Sequence, residues 1–434
     1  MRHTKIIVGV MAAAMSLAGL SACGTSPTTT PTDAGTGTAA TASGQLEIFS
    51  WWTAGSEALG LEQLVKVLNQ KYPDITFVNN GASTGGGSAK DVLQTRMASG
   101  QPPDSFQVHA GKEAQDYINA GQLQDVSNLY DEFGLRSVFP PALVDMLTQN
   151  GKIYTIPSNV HRANVLWASI PGLQKAGLST TDIYFNTMDD FIAALDKAKA
   201  AGFETPLAVG TTWCQVNLLE TVLIADLGAD KYKGLYDGTT DWKSAEVTTA
   251  LQHFGKLMSY TNADRDSIDW EPALVKTIDG DAVFTVMGDW VPAAYDSRNL
   301  VNGTDYTWAP SAGTQGIYDF LADSYGITTG APNPAAAKAW LDVISSKDGQ
   351  TAFNKVKGSI PARTDIDLST FSVYQQAAAD SFNKDAIVPS LQHGAAATIA
   401  QGNAANTAVS KFTTSPMGAD NLATLQAELA AAFA

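Results

Sequence analysis

The fold of this chain is decided by residues 46–78, LEIFSWWTAGSEALGLEQLVKVLNQKYPDITFV. The opening residues 46–50 read as a strand, and a turn follows them. Apolar residues then recur every three or four positions, as on one face of a helix: Leu61, Leu64, Val65 and Leu68. Pro73 ends this helix, and residues 75–78 read as a second strand. The order strand, helix, strand predicts the first unit of an α/β fold.

The same alternation continues beyond residue 78. A glycine-rich loop (81–87) leads into a predicted helix over about 88–97, and two prolines then precede a third strand over 105–108. Strands and helices that alternate in this way imply a parallel sheet with right-handed crossovers.

A second α/β unit is predicted to follow the first. Residues 152–157 read as the passage into it, and its helices include 188–201 and 217–227. Segment 305–310 is expected to be a strand that returns to the first unit, to which a helix over 334–346 would also belong. The chain shows no internal repeat.

Residues 1–22 have the features of a secretory signal peptide. Arg2 and Lys5 precede an apolar stretch, residues 6–20, which is shorter than the roughly 20 residues that a helix needs to cross a bilayer. The sequence Leu-Ser-Ala-Cys23 resembles the lipobox of bacterial lipoproteins, which implies cleavage before Cys23, lipid on that cysteine and a tether to the extracytoplasmic face of the cell membrane. Residues 23–44, mostly Thr, Ala, Gly, Ser and Pro, are expected to form a flexible linker.

Composition places the rest of the chain among globular proteins. Apolar residues make up 44% and charged residues 16%, and the part after residue 44 is long enough for two domains. The formal net charge of −16 would repel phosphate backbones and anionic lipid surfaces, so nucleic-acid binding is not expected. With Cys23 lipidated, Cys214 is left without a disulfide partner and is expected in the core. No spacing of cysteines and histidines suits a metal, and no metal or cofactor is expected.

Five motifs in chain order resemble those of one protein family: Ser50-Trp51-Trp52-Thr53, Ser88-Ala89-Lys90, Val286-Met287-Gly288-Asp289-Trp290, Lys357-Gly358-Ser359-Ile360-Pro361-Ala362-Arg363 and Pro389-Ser390-Leu391-Gln392-His393-Gly394. The pattern runs from about residue 45 to the C-terminus. It is similar to the extracellular solute-binding proteins that serve ABC importers, in the sugar-binding branch with the maltodextrin-binding-like fold. More narrowly, it resembles the glucose/mannose-binding members.

The resemblance implies an α/β fold of two lobes joined by hinge strands, with a sugar held in the cleft between the lobes. The N-lobe would comprise residues 45–157 and about 310–362, and the C-lobe about 158–309 and 363–434. The implied function is capture of a monosaccharide, glucose or mannose, and its delivery to the transmembrane subunits of an ABC permease. A monomer without enzymatic activity is expected. An oligosaccharide ligand stays open, as does the choice of epimer.

The first group of candidate ligand-binding residues follows the first two strands. A hexopyranose has apolar faces and a rim of hydroxyls, so it suits flat aromatic rings combined with polar groups. Trp51 and Trp52 end the first strand, where alternate side chains point oppositely, so one of the two should face the cleft. Glu57 could accept from sugar hydroxyls or favour the N-terminus of its helix. Lys90 falls in the predicted first turn of a helix, where a cation is unfavourable, which indicates a role in donating to sugar oxygens.

The second group lies farther along the chain. Gln107 and His109 end the third strand, and Trp213 follows a strand-like segment and a turn. Asp289 is the strongest candidate carboxylate, because a carboxylate can bridge two vicinal hydroxyls, although Asp is also a preferred helix N-cap. Two further residues resemble sugar-binding residues of the family: Lys357, with Lys355 as a nearby competitor, and His393.

A secreted α/β-hydrolase is the rival interpretation. Gly81-Ala82-Ser83-Thr84-Gly85 matches the nucleophile elbow G-x-S-x-G, and Asp289 and His393 follow Ser83 in the order that such enzymes use. Against it, the elbow would sit on only the second strand, the loop continues with Gly86 and Gly87, and no oxyanion loop precedes it. A binding protein is therefore preferred to an enzyme.

Overall fold

The computed structural model describes residues 42–81, 86–414 and 418–434, and for 86–88 and 419 it describes the backbone alone. The predicted signal peptide, Cys23, nearly all of the linker and Ser83 lie outside the described residues. Among the helices that are described, none combines the length and the apolar character needed to cross a bilayer.

The strands are short and fall into several sheets. In chain order they are β1 Gly44–Phe49, β2 Ile75–Asn79, β3 Ser105–His109, β4 Thr148–Gln149, β5 Lys152–Ile153, β6 Ile156–Pro157, β7 His161–Arg162, β8 Val165–Ser169, β9 Leu207–Ala208, β10 Phe284–Val286, β11 Tyr306–Pro310, β12 Ile317–Leu321, β13 Asp323–Ile327 and β14 Ala386–Pro389.

The α-helices connect and cover these sheets. In chain order they are α1 Gly55–Lys71, α2 Gly86–Ala98, α3 Lys112–Asn119, α4 Ser127–Glu132, α5 Pro141–Leu147, α6 Ile170–Lys175, α7 Met188–Ala200, α8 Thr212–Asp237, α9 Ala245–Met258, α10 Trp270–Ile278, α11 Val291–Asp296, α12 Pro334–Ser345, α13 Lys347–Lys357, α14 Val373–Lys384, α15 Ile399–Thr414 and α16 Ala419–Ala432.

The first sheet has the order β2-β1-β3-β13-β6. Strand β1 pairs in parallel with β2 and β3, and α1 buries the predicted apolar face through Leu61, Leu64 and Leu68. The α/β unit predicted from residues 46–108 is confirmed. Strands β13 and β6 extend the sheet in antiparallel pairings, which the alternation of strands and helices does not reveal.

The second sheet has the order β11-β8-β10-β9. Its strand β11 pairs antiparallel with β8, from Tyr306 opposite Ser169 to Pro310 opposite Val165. The expectation that segment 305–310 returns to the first unit is therefore wrong, and β13 is the strand that returns. Strand β13 is fully buried and β11 is buried only in part, and both mix polar with apolar side chains, so nothing in their own residues specifies the sheet that each of them joins.

A third sheet, β14-β12-β7, connects the other two. The chain leaves the first sheet after β6, passes through β7 and enters the second sheet at β8. It returns from β11 through β12 to β13. This is the α/β fold of two lobes joined by hinge strands. We call the part built on the first sheet the first lobe and the part built on the second sheet the second lobe.

Helix α8 is longer than the predicted helix 217–227 and spans Thr212–Asp237. Gly228 interrupts it with a φ of +72°, a backbone conformation that glycine adopts without steric cost. The N-terminal half of α8 is buried almost throughout, and Cys214 lies there at 1% exposure, as expected of a core residue.

Candidate functional site

A cavity of about 330 Å³ lies between residues of the two lobes. Its walls are built by the segment after β1, helices α2 and α3, the start of β13, the end of α13, the N-terminus of α8 and the loop after β14. Eight of the ten candidate ligand-binding residues line it: Trp51, Trp52, Glu57, Lys90, His109, Trp213, Lys357 and His393.

The two consecutive tryptophans differ in burial. Trp52 is 1% exposed and packs against Phe353 and Tyr325, with ring centroids 4.9 and 6.1 Å away. Trp51 is half-buried, and its ring centroid lies 5.0 Å from that of His109. Both line the cavity, but Trp51 has far more surface to offer to a ligand, because Trp52 belongs to the core of the first lobe.

Lys90, His109 and Glu113 form a compact charged cluster in the wall. The carboxylate Oε2 of Glu113 lies 2.7 Å from Lys90 Nζ and 2.8 Å from His109 Nδ1. Burial alone would raise the pKa of Glu113, but the neighbouring Lys90 and His109 lower it to about 2. The Lys90 ammonium also lies 5.3 Å from the centroid of the Trp51 ring. An ammonium, an imidazole and an indole are thereby held together at one side of the cavity.

The sequence predicts Lys90 in the first turn of its helix. Helix α2 begins at Gly86, so Lys90 instead lies in the second turn. The electrostatic reason given for a function of Lys90 is therefore wrong. Its pairing with Glu113 is a tertiary contact between α2 and α3 that sequence spacing does not indicate.

A buried polar group lies at the floor of the cavity around Asp323. Its Oδ1 accepts from Gln107 Nε2 at 2.8 Å, and its Oδ2 accepts from Asn159 Nδ2 at 2.9 Å and lies 3.3 Å from His161 Nε2. Burial would raise the pKa of Asp323, but hydrogen bonding and the charge of His161 hold it well below its usual range. Burial would lower the pKa of His161, and the Asp289 and Asp323 carboxylates raise it above 6.5.

Two candidates, Gln107 and Asp289, do not line the cavity. Gln107 connects Asp323 to Ser50 Oγ, which donates to its Oε1 at 2.6 Å. Asp289 is fully buried behind His161, whose Nδ1 it contacts, and it accepts from the backbone N–H of Arg162 at 3.0 Å. Asp289 does not cap a helix either, because α11 begins at Val291 with Trp290 in the N-cap position.

Lys357 and Glu57 form an ion pair in the cavity wall, with 2.6 Å between Nζ and Oε1. The Lys357 ammonium lies 5.5 Å from the Trp52 ring centroid and 5.7 Å from that of Trp290. Its competitor Lys355 lies over Phe371, away from the cavity. Of the two lysines, only Lys357 is placed to meet a ligand.

The second lobe contributes an aromatic wall. Trp213 donates its indole N–H to Asp269 Oδ1 at 2.8 Å, and its ring centroid lies 6.2 Å from that of Trp290. His393 stands edge-on to both rings, with centroids 6.1 and 5.3 Å away. A flat ligand can therefore lie between indole surfaces of the two lobes.

Sequence reasoning missed several residues of the cavity wall. Those not named as ligand-binding candidates include Glu113, Asp269, Trp290 and Asp323. Trp290 stands inside a quoted motif beside Asp289, and that motif is the signal that could have identified it. Asp323 reaches its site partners only through tertiary pairing. Glu113 stands four residues after His109, and that spacing is the one local signal for it, whereas its contact with Lys90 forms only in the folded chain.

The geometry does not support the hydrolase. Asp289 contacts His161, whereas His393 contacts Ser390, so the acid and the base of the proposed triad do not meet. Within the described residues no group of three or more His, Cys, Asp or Glu side chains could hold a metal ion. Aromatic faces combined with ionic hydrogen-bonding groups suit the recognition of a small polar ligand with apolar faces.

The fold and the cavity together define a two-lobe α/β binding protein whose ligand site lies between the lobes. Residues 54–351 match the family described as bacterial extracellular solute-binding protein, and the chain belongs to this family. It is a binding protein and not an enzyme.

Three relatives illustrate the family. The chain is 35% identical over 357 residues to an uncharacterized ABC transporter extracellular-binding protein of Pyrococcus horikoshii, covering 81% of this chain and 80% of the relative. It is 31% identical to a probable sugar-binding periplasmic protein of Mesorhizobium japonicum, covering 85% and 88%. It is 26% identical to a glucose-binding protein of Saccharolobus solfataricus, covering 71% and 59%.

Among solved structures, a chitin oligosaccharide binding protein superposes with a TM-score of 0.76. The two sequences are 20% identical, and the alignment covers 90% of this chain and 99% of the other. At this identity the likeness concerns the fold, which is that of the maltose-binding-like solute-binding proteins.

Proposed function

We propose that this protein captures a monosaccharide, glucose or mannose, in the cavity between its lobes and delivers it to an ABC importer. The supporting observation is the composition of the cavity wall, in which the indoles of Trp51, Trp213 and Trp290 stand around hydrogen-bonding groups. A sugar ring needs both kinds of surface. The names of the relatives support sugar as the solute and an ABC transporter as the recipient.

The proposed mechanism is closure of the lobes around the sugar. Trp51, Glu57 and Lys90 stand on elements of the first lobe, and Trp213 and Trp290 on elements of the second. A ligand that contacts both lobes stabilises the closed arrangement more than the open one, so binding shifts the population toward the closed state. We propose the N-lobe as 45–157 with about 310–362 and the C-lobe as about 158–309 with 363–434.

We further propose a lipid anchor at Cys23 and a monomeric receptor. The support is the Leu-Ser-Ala-Cys23 sequence behind an apolar segment, followed by the polar linker to residue 44. An extracytoplasmic receptor tethered in this way stays near its permease while the linker lets it reorient.

An oligosaccharide is the second candidate ligand, and one observation favours it. A groove of about 600 Å³ adjoins the cavity and shares Trp51, Glu57, Asp269 and Trp270 with it. A second sugar ring joined to the first could extend into this groove. The 330 Å³ of the inner cavity lies at the small end of the range of about 300–1,000 Å³ for ligand sites, and this favours a single ring.

Calorimetry on the purified protein with glucose, mannose, galactose, xylose and maltose tests the proposal, with tryptophan fluorescence as a second signal. We expect glucose or mannose to bind most tightly, without turnover, and the fluorescence to change because five tryptophans line the cavity. Tighter binding of maltose would identify the oligosaccharide alternative. Binding of none of these sugars would overturn the proposed function.

A further inference from the structure

The loop after β14 brings His393 to the cavity, and Ser390 holds it there. Ser390 is fully buried. Its Oγ lies 2.9 Å from His393 Nδ1 and 3.2 Å from the His393 backbone nitrogen, and 3.0 and 3.1 Å from the two carboxyl oxygens of Glu220. A serine hydroxyl has one proton to donate and two lone pairs that accept, so these neighbours use its full capacity.

The hydrogen bonds around Ser390 can be assigned by the chemistry of each neighbour. The backbone N–H of His393 can only donate. Glu220 accepts, because its Oε2 also receives the backbone N–H of Gln392 at 2.9 Å. The Ser390 proton therefore points to Glu220, and the second lone pair of Ser390 must receive a proton from His393 Nδ1. The imidazole accordingly carries its hydrogen on Nδ1.

Glu220 can accept the hydrogen bond from Ser390 even though its carboxyl group is buried beside that of Asp319. The carboxyl group of Asp319 lies beside that of Glu220, both residues are fully buried, and neither Asp319 oxygen has a hydrogen-bond donor among the described residues. Two neighbouring buried carboxyl groups avoid facing each other as two charges when one of them keeps its proton. A proton kept on Asp319 leaves the Glu220 oxygens free to accept from Ser390 and from the backbone N–H of Gln392. Burial, His109 and Lys90 lower the pKa of His393 well below 6.5, so its ring is neutral and carries one proton.

We propose that Glu220 is a positioning residue that acts through Ser390 to hold His393 as its Nδ1–H tautomer, so that Nε2 faces the ligand as an acceptor only. Within the described residues, Nε2 has no hydrogen-bond partner at 3.5 Å or less, while the His393 side chain lines the cavity. If the ligand is the proposed sugar, it must donate a hydroxyl proton at this point. Lys90 and Lys357 can only donate, so His393 complements them.

Long-range ¹H–¹⁵N NMR on the ¹⁵N-histidine-labelled protein reads the tautomer directly, because protonated and unprotonated ring nitrogens differ widely in chemical shift. The chain has five histidines, and His393→Asn assigns the signal. We expect Nδ1–H in the wild type. An Nε2–H ring in the wild type would overturn the proposal.

Two matched substitutions at Glu220 test its part. Glu220→Met removes every acceptor at similar length, which frees the Ser390 proton to turn toward His393 Nδ1 and moves the ring proton to Nε2. Glu220→Gln keeps a carbonyl oxygen toward Ser390 and an N–H₂ group toward Asp319, so the wild-type tautomer should persist. If Glu220→Met does not fold, Ser390→Ala replaces it with the same expected loss of the Nδ1–H form. An unchanged Nδ1–H form in the folded variant would refute the role of Glu220.

The statement that the ligand donates a hydroxyl proton to His393 rests on the proposed function, whereas the role of Glu220 does not. Sugar titration of the same proteins distinguishes the two. We expect glucose affinity to fall by about tenfold in Glu220→Met and by less than about twofold in Glu220→Gln. If no sugar binds to the wild type, the proposed function fails, while the tautomer result still decides the role of Glu220. Equal glucose affinity in both variants would refute the proposal that a sugar hydroxyl donates its proton to His393 Nε2.

Discussion

At the scale of single residues, the charged groups in the cavity wall are paired with one another. Lys90 pairs with Glu113, and Lys357 pairs with Glu57. Such pairs hold long, flexible side chains in one geometry, which reduces the entropy that ligand binding must remove. Each ammonium has protons left for a ligand, because a lysine carries three.

Replacing Lys357 tests which lysine meets the ligand. The Lys357 side chain is 2% exposed and stands between two indoles, so Lys357→Met should remove a charged hydrogen-bond donor worth roughly 1.5–3 kcal/mol, or more than tenfold in sugar affinity. Calorimetry measures the loss. Lys355→Met is the matched control and should bind like the wild type. The two variants behaving alike would show that Lys357 does not contact the ligand.

At the scale of elements, helix α8 and hinge strand β12 meet through two buried carboxyl groups. Burial raises the pKa of Glu220 to about 7, and burial together with the neighbouring Glu220 raises the pKa of Asp319 well above 3.8. Arg162 from β7 faces Asp319, Tyr232 and Tyr236 of α8 face both carboxyl groups, and a neutral His393 lies 3.8 Å from Glu220. The pair therefore retains a proton that the unfolded chain would release.

The pH dependence of stability follows from that retained proton. A carboxyl group whose folded pKa is raised stabilises the fold below its unfolded pKa, and this contribution is lost as pH rises toward the folded value. Between about pH 4.5 and 7 the pair should make the wild type progressively less stable. In Glu220→Gln this part of the slope should be smaller, because the buried carboxyl group that titrates there is absent.

Urea unfolding at several pH values measures that slope. Glu246→Gln changes an exposed carboxylate on α9 and should keep the wild-type pH dependence. A slope in Glu220→Gln equal to that of the wild type would show that Glu220 does not retain a proton in the folded protein.

At the scale of the whole molecule, the lobes meet at the rim of the cavity through Glu271 on α10. Its Oε2 accepts from the backbone N–H and the hydroxyl of Ser56 at the start of α1, both at 3.3 Å, and its Oε1 lies 3.0 Å from Arg298. A carboxylate at a helix N-terminus is electrostatically favoured. Glu271 does not line the inner cavity, so it can stabilise closure without touching the ligand there.

Glu271→Ala should weaken sugar binding through closure alone. Losing these contacts should cost about 1 kcal/mol of the closed state, which is roughly fivefold in affinity. Calorimetry gives the affinity, and small-angle scattering should show less compaction at a given sugar concentration. Glu204→Ala, at an exposed carboxylate away from the cavity, is the control. Wild-type affinity in Glu271→Ala would mean that this contact does not hold the lobes together.

The proposed tether is also a property of the whole molecule. Cys23→Ser removes the thiol that would carry the lipid, so the protein should move from the membrane fraction to the medium or periplasm, with sugar affinity unchanged. Metabolic labelling with a fatty acid and fractionation measure both effects. Labelling that persists in Cys23→Ser would exclude this anchor.

Local sequence patterns predicted the βαβ beginning of the first lobe, and the motifs predicted the two-lobe family and most of the cavity wall. Local periodicity controls which residues form α1 and its flanking strands, and side chains that follow strand ends gather at one edge of a sheet. The motifs therefore placed Trp51, Lys357 and His393 at the cavity.

The pairing of distant segments could be seen only in the folded chain. Segment 306–310 joined the second sheet and not the first, and Asp289 lies behind His161 and not in the wall. Glu113, Asp323 and Glu220 acquire their partners from residues up to 216 positions away. The local sequence of a buried strand or carboxylate does not indicate its partner. That partner is selected by the packing of the whole chain and not by the neighbouring residues in sequence.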